Sequence, residues 1–169
     1  MTAAPPEVLG AAGAFDTPGA PLRAERLGEG AGHIHQTWRV DCGEGAVVLQ
    51  RLNEAVFPDL EAVLANFARV TDHLRTKAGG HPDAARRVLA LVPARADGWL
   101  HRDGEGRAWR CTRFISGARM PQEPATAAEA RAAAEALGRF LADLSDLPAS
   151  HLREPLPGFH DTAARLRAL

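Results

Sequence analysis

Hydrophobic side chains change their spacing twice along this chain, and each change marks a boundary between predicted strands and a predicted helix. Over residues 23–52 apolar and polar residues alternate in three short runs joined by glycine-containing turns, which is typical of β-strands. Over residues 57–74 apolar residues recur every three or four positions, which is typical of an amphipathic helix. Alternation returns on both sides of Asp103-Gly104, a hairpin signal. The predicted order is therefore three strands, one helix and two strands.

The remaining segments are predicted from their glycines, prolines and helix-capping residues. Residues 1–22 are rich in Ala, Pro and Gly and predict a leader with a helical turn or two between Val8 and Phe15, packed on the segment after it. The apolar run "RVLALV" leaves open a strand or the edge of a helix. Residues 116–125 contain Gly and Pro and predict a connector. Residues 126–169 predict helices, the first opening with Thr126 in a capping box and the last beginning near Asp161 and ending without a cap.

Composition excludes several classes of protein. The 169 residues are 46% hydrophobic, which suits one soluble domain, and 20 basic residues face 21 acidic ones. That balance argues against nucleic acid or an anionic membrane as a partner. No apolar run approaches about 18 residues, and the two cysteines lack metal-ligand spacing. We expect a cytoplasmic protein in a reducing compartment, with no metal site in this chain.

Glycines at positions 28, 30 and 32 precede a strand-like run, "HIHQTWRV". A dinucleotide-binding fingerprint would need a helix at that place, and a P-loop would need a lysine that is absent. A glycine-rich hairpin that closes over the phosphates of ATP, as in kinase-like folds, fits the flanking strands. For the loop taken alone a plain hairpin turn is the commoner explanation. The order of strands and helix along the chain, which is that of a kinase small lobe, favours the ATP-binding hairpin.

Five segments carry a resemblance to a known family: "GHIHQTWRV", "VVLQRLNEAVFPDLEAVLANFARVTDHL", "DGEGRAWRCTRFISGAR", "LGRFLADLSDL" and "LPGFHDTAARL". They resemble the opening half of the aminoglycoside/choline phosphotransferase superfamily, and most closely its N-acetylhexosamine 1-kinase-type branch. The resemblance implies an α+β fold: a protein-kinase-like small lobe, with a five-stranded antiparallel sheet and one inserted helix, and the first helices of an incomplete helical large lobe. The implied boundaries are 1–22 for the leader, 23–115 for the small lobe, 116–125 for the hinge and 126–169 for the truncated large lobe.

The resemblance also implies which residues bind the nucleotide. The flap would contribute Gly28, Gly30, Gly32, His33 and Ile34. The third strand of the family carries a basic residue for the phosphates, and here Gln50 stands at that position with Arg51 beside it. Both stay open, as does a purely solvated Arg51. Glu61 on the following helix is the implied ion-pair partner, and the main chain of Arg113 and Ile115 is the implied adenine-binding hinge.

The implied activity is transfer of the γ-phosphoryl group from ATP, with Mg²⁺, to a hydroxyl of a small-molecule acceptor, an amino sugar in the most similar branch. The family's catalytic and magnesium-binding aspartates lie in later segments that these residues do not contain, so this chain is expected to have no catalytic residue of its own and no measurable transfer. Two alternatives stay open: a non-catalytic nucleotide-binding or interaction module, and a piece of a choline or aminoglycoside kinase.

Overall fold

An antiparallel sheet with helices on both faces forms the centre of the computed structural model, which describes residues 5–28, 34–118, 126–159 and 161–168. The strands are β1 (Pro21–Leu27), β2 (Gln36–Cys42), β3 (Gly45–Arg51), β4 (Leu91–Val92), β5 (His101–Arg102) and β6 (Ala108–Arg113). The helices are α1 (Pro6–Gly13), α2 (Leu60–Ala78), α3 (Ala84–Arg87), α4 (Ala127–Leu144) and α5 (Thr162–Arg167), with a 3-10 turn at Ala149–His151.

The strands lie in the order β1-β2-β3-β6-β4, and β5 also pairs with β6. All pairs are antiparallel. Helix α2 is inserted in the chain after β3, so the fold has the small-lobe architecture that the sequence predicts, followed by helices of the large lobe. None of the described helices is both long enough and apolar enough to cross a membrane.

One face of the sheet packs against α1 and forms the main core. Side chains alternate along each strand, so every second residue of β2, β3 and β6 reaches this face. The predicted leader is thereby part of the core, as expected for a segment that packs on the sheet. The fully buried members of the main core include Val8, Phe15, Val40, Val47, Leu49, Trp109 and Cys111.

The other face of the sheet packs against α2 through a smaller apolar cluster that contains Leu52, Leu60, Leu64 and Ala108. Helix α2 begins where the sequence predicts, because the Asp59 carboxylate accepts a hydrogen bond from the Ala62 amide at 2.9 Å. It ends at Ala78, before the predicted stop at the glycine pair.

Three details differ from the sequence prediction. The sheet has six strands rather than five, because Leu91 and Val92 of the ambiguous run pair with β6 as a short strand. Strand β1 begins at Pro21, two residues before the predicted start at Arg23, because Pro21 pairs with Cys42 across an irregular register. The short helix α3 between α2 and β4 was not predicted.

The predicted later helices are present, and α2 is joined to them by polar contacts. Thr126 caps α4 by accepting from the Glu129 amide at 3.2 Å, and Asp161 caps α5 by accepting from the Ala164 amide at 2.8 Å. The Asn66 side chain exchanges two hydrogen bonds with the main chain of Arg153, at 2.7 and 2.9 Å. The small lobe and the segment after α4 are therefore tied together along one side of α2.

Candidate functional site

A row of four residues crosses the α2 face of the sheet at the end where the glycine-rich loop begins. Leu27 pairs with Thr37, Thr37 with Gln50, and Gln50 with Arg110. Neighbouring strands lie about 4.8 Å apart, so the row spans roughly 14 Å. This row connects the loop to the middle of the sheet, and it brings together one candidate predicted from the sequence and one that was not.

The glycine-rich loop follows Leu27 directly. Gly28 has a φ of +73°, a conformation that glycine adopts freely and other residues rarely do. Ile34 is exposed to 49% at the other end of the loop. The other flap candidates, Gly30, Gly32 and His33, lie outside the described residues. The chain thus leaves β1 at the end of the row through Gly28, in a conformation suited to glycine.

Gln50 and Arg51 project to opposite faces of β3, as their adjacent positions require. Gln50 shares its face with Thr37: its side-chain amide donates to the Thr37 hydroxyl at 2.9 Å. The side-chain oxygen of Gln50, Oε1, accepts a hydrogen bond from Nε of Arg110 at 2.8 Å. Arg51 pairs across the sheet with Trp109, on the side of the main core. Of the two candidates on β3, only Gln50 faces α2.

Arg110 is the residue that the sequence reasoning missed. It lies half-buried between two fully buried residues of β6, Trp109 and Cys111. Its guanidinium carbon lies 5.0 Å from the centre of the Phe67 ring of α2. Burial lowers the pKa of Arg110, although an arginine stays protonated at neutral pH. The signal in the sequence was a charged residue inside "AWRCTR", a run otherwise typical of a hairpin strand.

The charge of Arg110 also acts on His35. Its Nδ1 accepts a hydrogen bond from the Asn53 amide at 3.2 Å, and its ring lies 5.5 Å from that of Phe57. Burial, and secondarily the charge of Arg110, lower the pKa of His35. Both effects favour the neutral imidazole, in which the accepting Nδ1 leaves the proton on Nε2.

Glu61 is exposed in the first turn of α2. Among the described residues no hydrogen bond or ion pair connects it to Gln50 or Arg51; its charge instead acts on Arg102, the pKa of which is raised chiefly by the hydrogen bond that Arg102 donates to Glu54. The ion-pair role implied for Glu61 stays a prediction.

The hinge candidates lie at the other end of β6, beside a cavity of about 470 Å³. Arg113 and Ile115 form part of its wall, together with residues of α2, α3 and β4. Gln50, Arg51 and Glu61 do not line it. The main-chain N–H of Arg113 already donates to the Ala90 carbonyl at 2.9 Å, so a ligand would have to use its carbonyl group. The structure thus separates the hinge pair from the phosphate-side candidates.

One tripeptide, His101-Arg102-Asp103, has the letters of a kinase catalytic loop but a different role here. The Asp103 carboxylate accepts hydrogen bonds from the Arg107 guanidinium at 2.7 Å and the Trp109 indole at 2.8 Å, and from the amides of Glu105 and Arg107 at 3.0 Å. Desolvation, the largest single effect, raises its pKa, but these hydrogen bonds outweigh it and lower the pKa. Asp103 therefore stabilises the β5–β6 hairpin.

Metal binding finds no support in the described part of the chain, where no three His, Cys, Asp or Glu side chains are grouped to hold an ion. The described residues therefore offer no group of carboxylates that could bind Mg²⁺. Comparison of the sequence with known families matches residues 25–169 to the Phosphotransferase enzyme family.

Proposed function

Because the chain belongs to the phosphotransferase enzyme family, we propose that it is the ATP-binding part of an ATP-dependent small-molecule kinase. The observation that carries this proposal is that the glycine-rich loop begins directly after Leu27, the first residue of the row that ends at Arg110. A loop there can close over phosphates with its backbone N–H groups while the sheet supplies side chains from below. The cytoplasmic location predicted from the sequence belongs to the same proposal.

The nucleotide is ATP, with its adenine edge on the main chain of Arg113 and Ile115. Gly28, Gly30, Gly32, His33 and Ile34 form the flap in this proposal, and Gln50 and Glu61 are the candidates beneath it. Arg51 lies on the opposite face of β3. Mg²⁺ supplies charge neutralisation at the β and γ phosphates in kinases of this kind. No step through the metal is assigned to residues of this chain.

The acceptor in this proposal is an amino sugar phosphorylated at its anomeric hydroxyl. Support comes from the two most specific segments of the resemblance, "LQRLN" with the following "VF", and "FHDT". No H-x-D-x-x-x-x-N pattern occurs in the 169 residues, so a catalytic base is not assigned within them. Binding of the nucleotide, rather than turnover, is therefore the property to test.

Thermal denaturation with ATP, with and without Mg²⁺, tests the proposal. Ligand at a hundred times its Kd stabilises a protein by about 2.7 kcal/mol, which raises Tm by several degrees in a domain of this size. We expect ATP to raise Tm and adenosine to raise it less. No rise at millimolar ATP would refute nucleotide binding by this chain.

The variant Gly28→Val separates the loop from general stability. A β-branched residue at positive φ is strained by about 1–2 kcal/mol, so the flap should shift and ATP affinity should fall about tenfold. Gly106→Val is the matched control, because Gly106 has a φ of +78° and open space around it but lies in the β5–β6 hairpin. Equal loss of ATP binding in both variants would contradict a specific role of the loop.

A further inference from the structure

Arg110 is a half-buried cation whose partners among the described residues are neutral. The Gln50 side-chain oxygen accepts from its Nε, and the Phe67 ring lies against its guanidinium. No described carboxylate lies within ion-pair distance of it. Charged groups removed from water are normally paired with an opposite charge, because the desolvation cost is otherwise uncompensated. This position therefore calls for an anion.

Several other arginines in the described chain are paired with a carboxylate instead. Arg39, on the same face of the sheet as Arg110, pairs with Asp41 at 2.8 Å. Further arginines with a carboxylate within 3 Å are Arg75, Arg102, Arg107 and Arg153. Each of these arginines forms an ordinary ion pair within the chain. Arg110 differs from them in having an amide and an aromatic ring where they have a carboxylate.

The neighbours of Arg110 hold its guanidinium in one orientation. The Thr37 hydroxyl accepts from the Gln50 amide nitrogen at 2.9 Å, which turns the Gln50 oxygen towards Arg110. A guanidinium has five N–H donors, and this arrangement uses only the one on Nε. The terminal nitrogens, which form the fork that binds phosphate oxygens, have no acceptor among the described residues. The cation is thus positioned, but its fork is left for a ligand.

We propose that Arg110 is the phosphate-binding cation of this site, oriented by Gln50 and Thr37, and that it replaces the basic residue that related kinases carry on the third strand. This inference rests on the proposed function for the identity of the ligand, the α and β phosphates of ATP. Burial lowers the pKa of Arg110, and a bound polyanion would offset the cost of keeping the charge there. Gln50 is then a positioning residue, and Arg51 has no phosphate role.

The test compares binding of ATP, adenosine and inorganic tripolyphosphate by calorimetry in the unaltered chain and three variants. Arg110→Met removes the charge and should weaken ATP and tripolyphosphate binding about 10- to 100-fold, leaving adenosine unchanged. Arg110→Lys keeps the charge without the fork and should lose about three- to tenfold. Arg39→Met is the matched control, because it removes a charge from the same face and should change binding less than about twofold.

Two further variants address the roles of β3. Gln50→Leu should weaken tripolyphosphate binding less than Arg110→Met does, and the double variant should be no weaker than Arg110→Met alone, because a positioning residue acts only through Arg110. Arg51→Met should leave binding unchanged. An additive double variant, or a loss in Arg51→Met equal to that in Arg110→Met, would overturn the assignment.

The ligands separate this inference from the proposed function. ATP binding that survives Arg110→Met at full strength overturns the inference and leaves the nucleotide function standing. If the chain binds tripolyphosphate through Arg110 but does not bind ATP, the inference is supported and the nucleotide function is refuted. Binding of neither ligand by the unaltered chain overturns both. Circular dichroism establishes whether each variant folds. If Arg110→Met does not fold, the binding loss in Arg110→Lys tests the inference instead.

Discussion

Asp103 shows how a single side chain can hold a hairpin. Four donors converge on its carboxylate, and one of them is the indole N–H of the fully buried Trp109. Asp103→Ala leaves that donor without its acceptor, which should lower the free energy of unfolding by about 2–4 kcal/mol. Urea denaturation measures the change. Asp97→Ala, an exposed aspartate in the preceding loop, is the control and should lie within about 0.5 kcal/mol of the unaltered chain.

The same carboxylate fixes the direction of a pH effect. Its pKa is lowered in the folded state, so its stabilisation is present above the unfolded pKa of about 4 and is lost as the pH falls below that value. The stability difference between the unaltered chain and Asp103→Asn should therefore be largest near pH 7 and shrink steadily below pH 4. A difference that grows on acidification would contradict this account of Asp103.

At the scale of elements, the N-terminus of α2 combines a helix cap with an ion pair. The Asp59 carboxylate accepts from the Ala62 amide through one oxygen and binds Arg153 through the other at 2.8 Å. The ion pair is exposed and adds little. Asp59→Ala should lower the free energy of unfolding by about 1 kcal/mol, whereas Asp59→Ser, which keeps the cap, should lower it by much less. Equal losses in both variants, measured by urea denaturation, would show that the Arg153 contact dominates.

The elements also show which parts of the fold can be predicted from the sequence. Alternation and capping residues predicted the three-strand meander, α2, the hairpin at Asp103-Gly104 and α4, because those signals are local. Strand β4 is only two residues long and exists because Leu91 and Val92 pair with β6, a contact distant in sequence. The anion-facing role proposed for Arg110 depends on its register with Gln50 and on Phe67 from α2. Neither follows from spacing along one strand.

At the scale of the whole molecule, the main core joins the leader to the sheet, and the two cysteines report on that core. Cys111 is fully buried and Cys42 nearly so. Burial, and secondarily the neighbouring Cys42, raise the pKa of Cys111 to about 12, and burial raises the pKa of Cys42 as well. Only the thiolate reacts, so native labelling of both thiols should be slow at pH 8.

Labelling with a disulfide reagent in increasing urea tests the unity of this core. In Cys42→Ala the remaining Cys111, in a strand paired on both sides, should react only in step with the global unfolding seen by circular dichroism. In Cys111→Ala the remaining Cys42, at the end of β2 beside the irregular pairing of β1, should react somewhat earlier because strand ends open locally. Labelling of Cys111 well below the unfolding midpoint would mean that β6 separates from β3 while the helices persist. In that event Gln50 and Arg110 would lose their contact before the fold is lost.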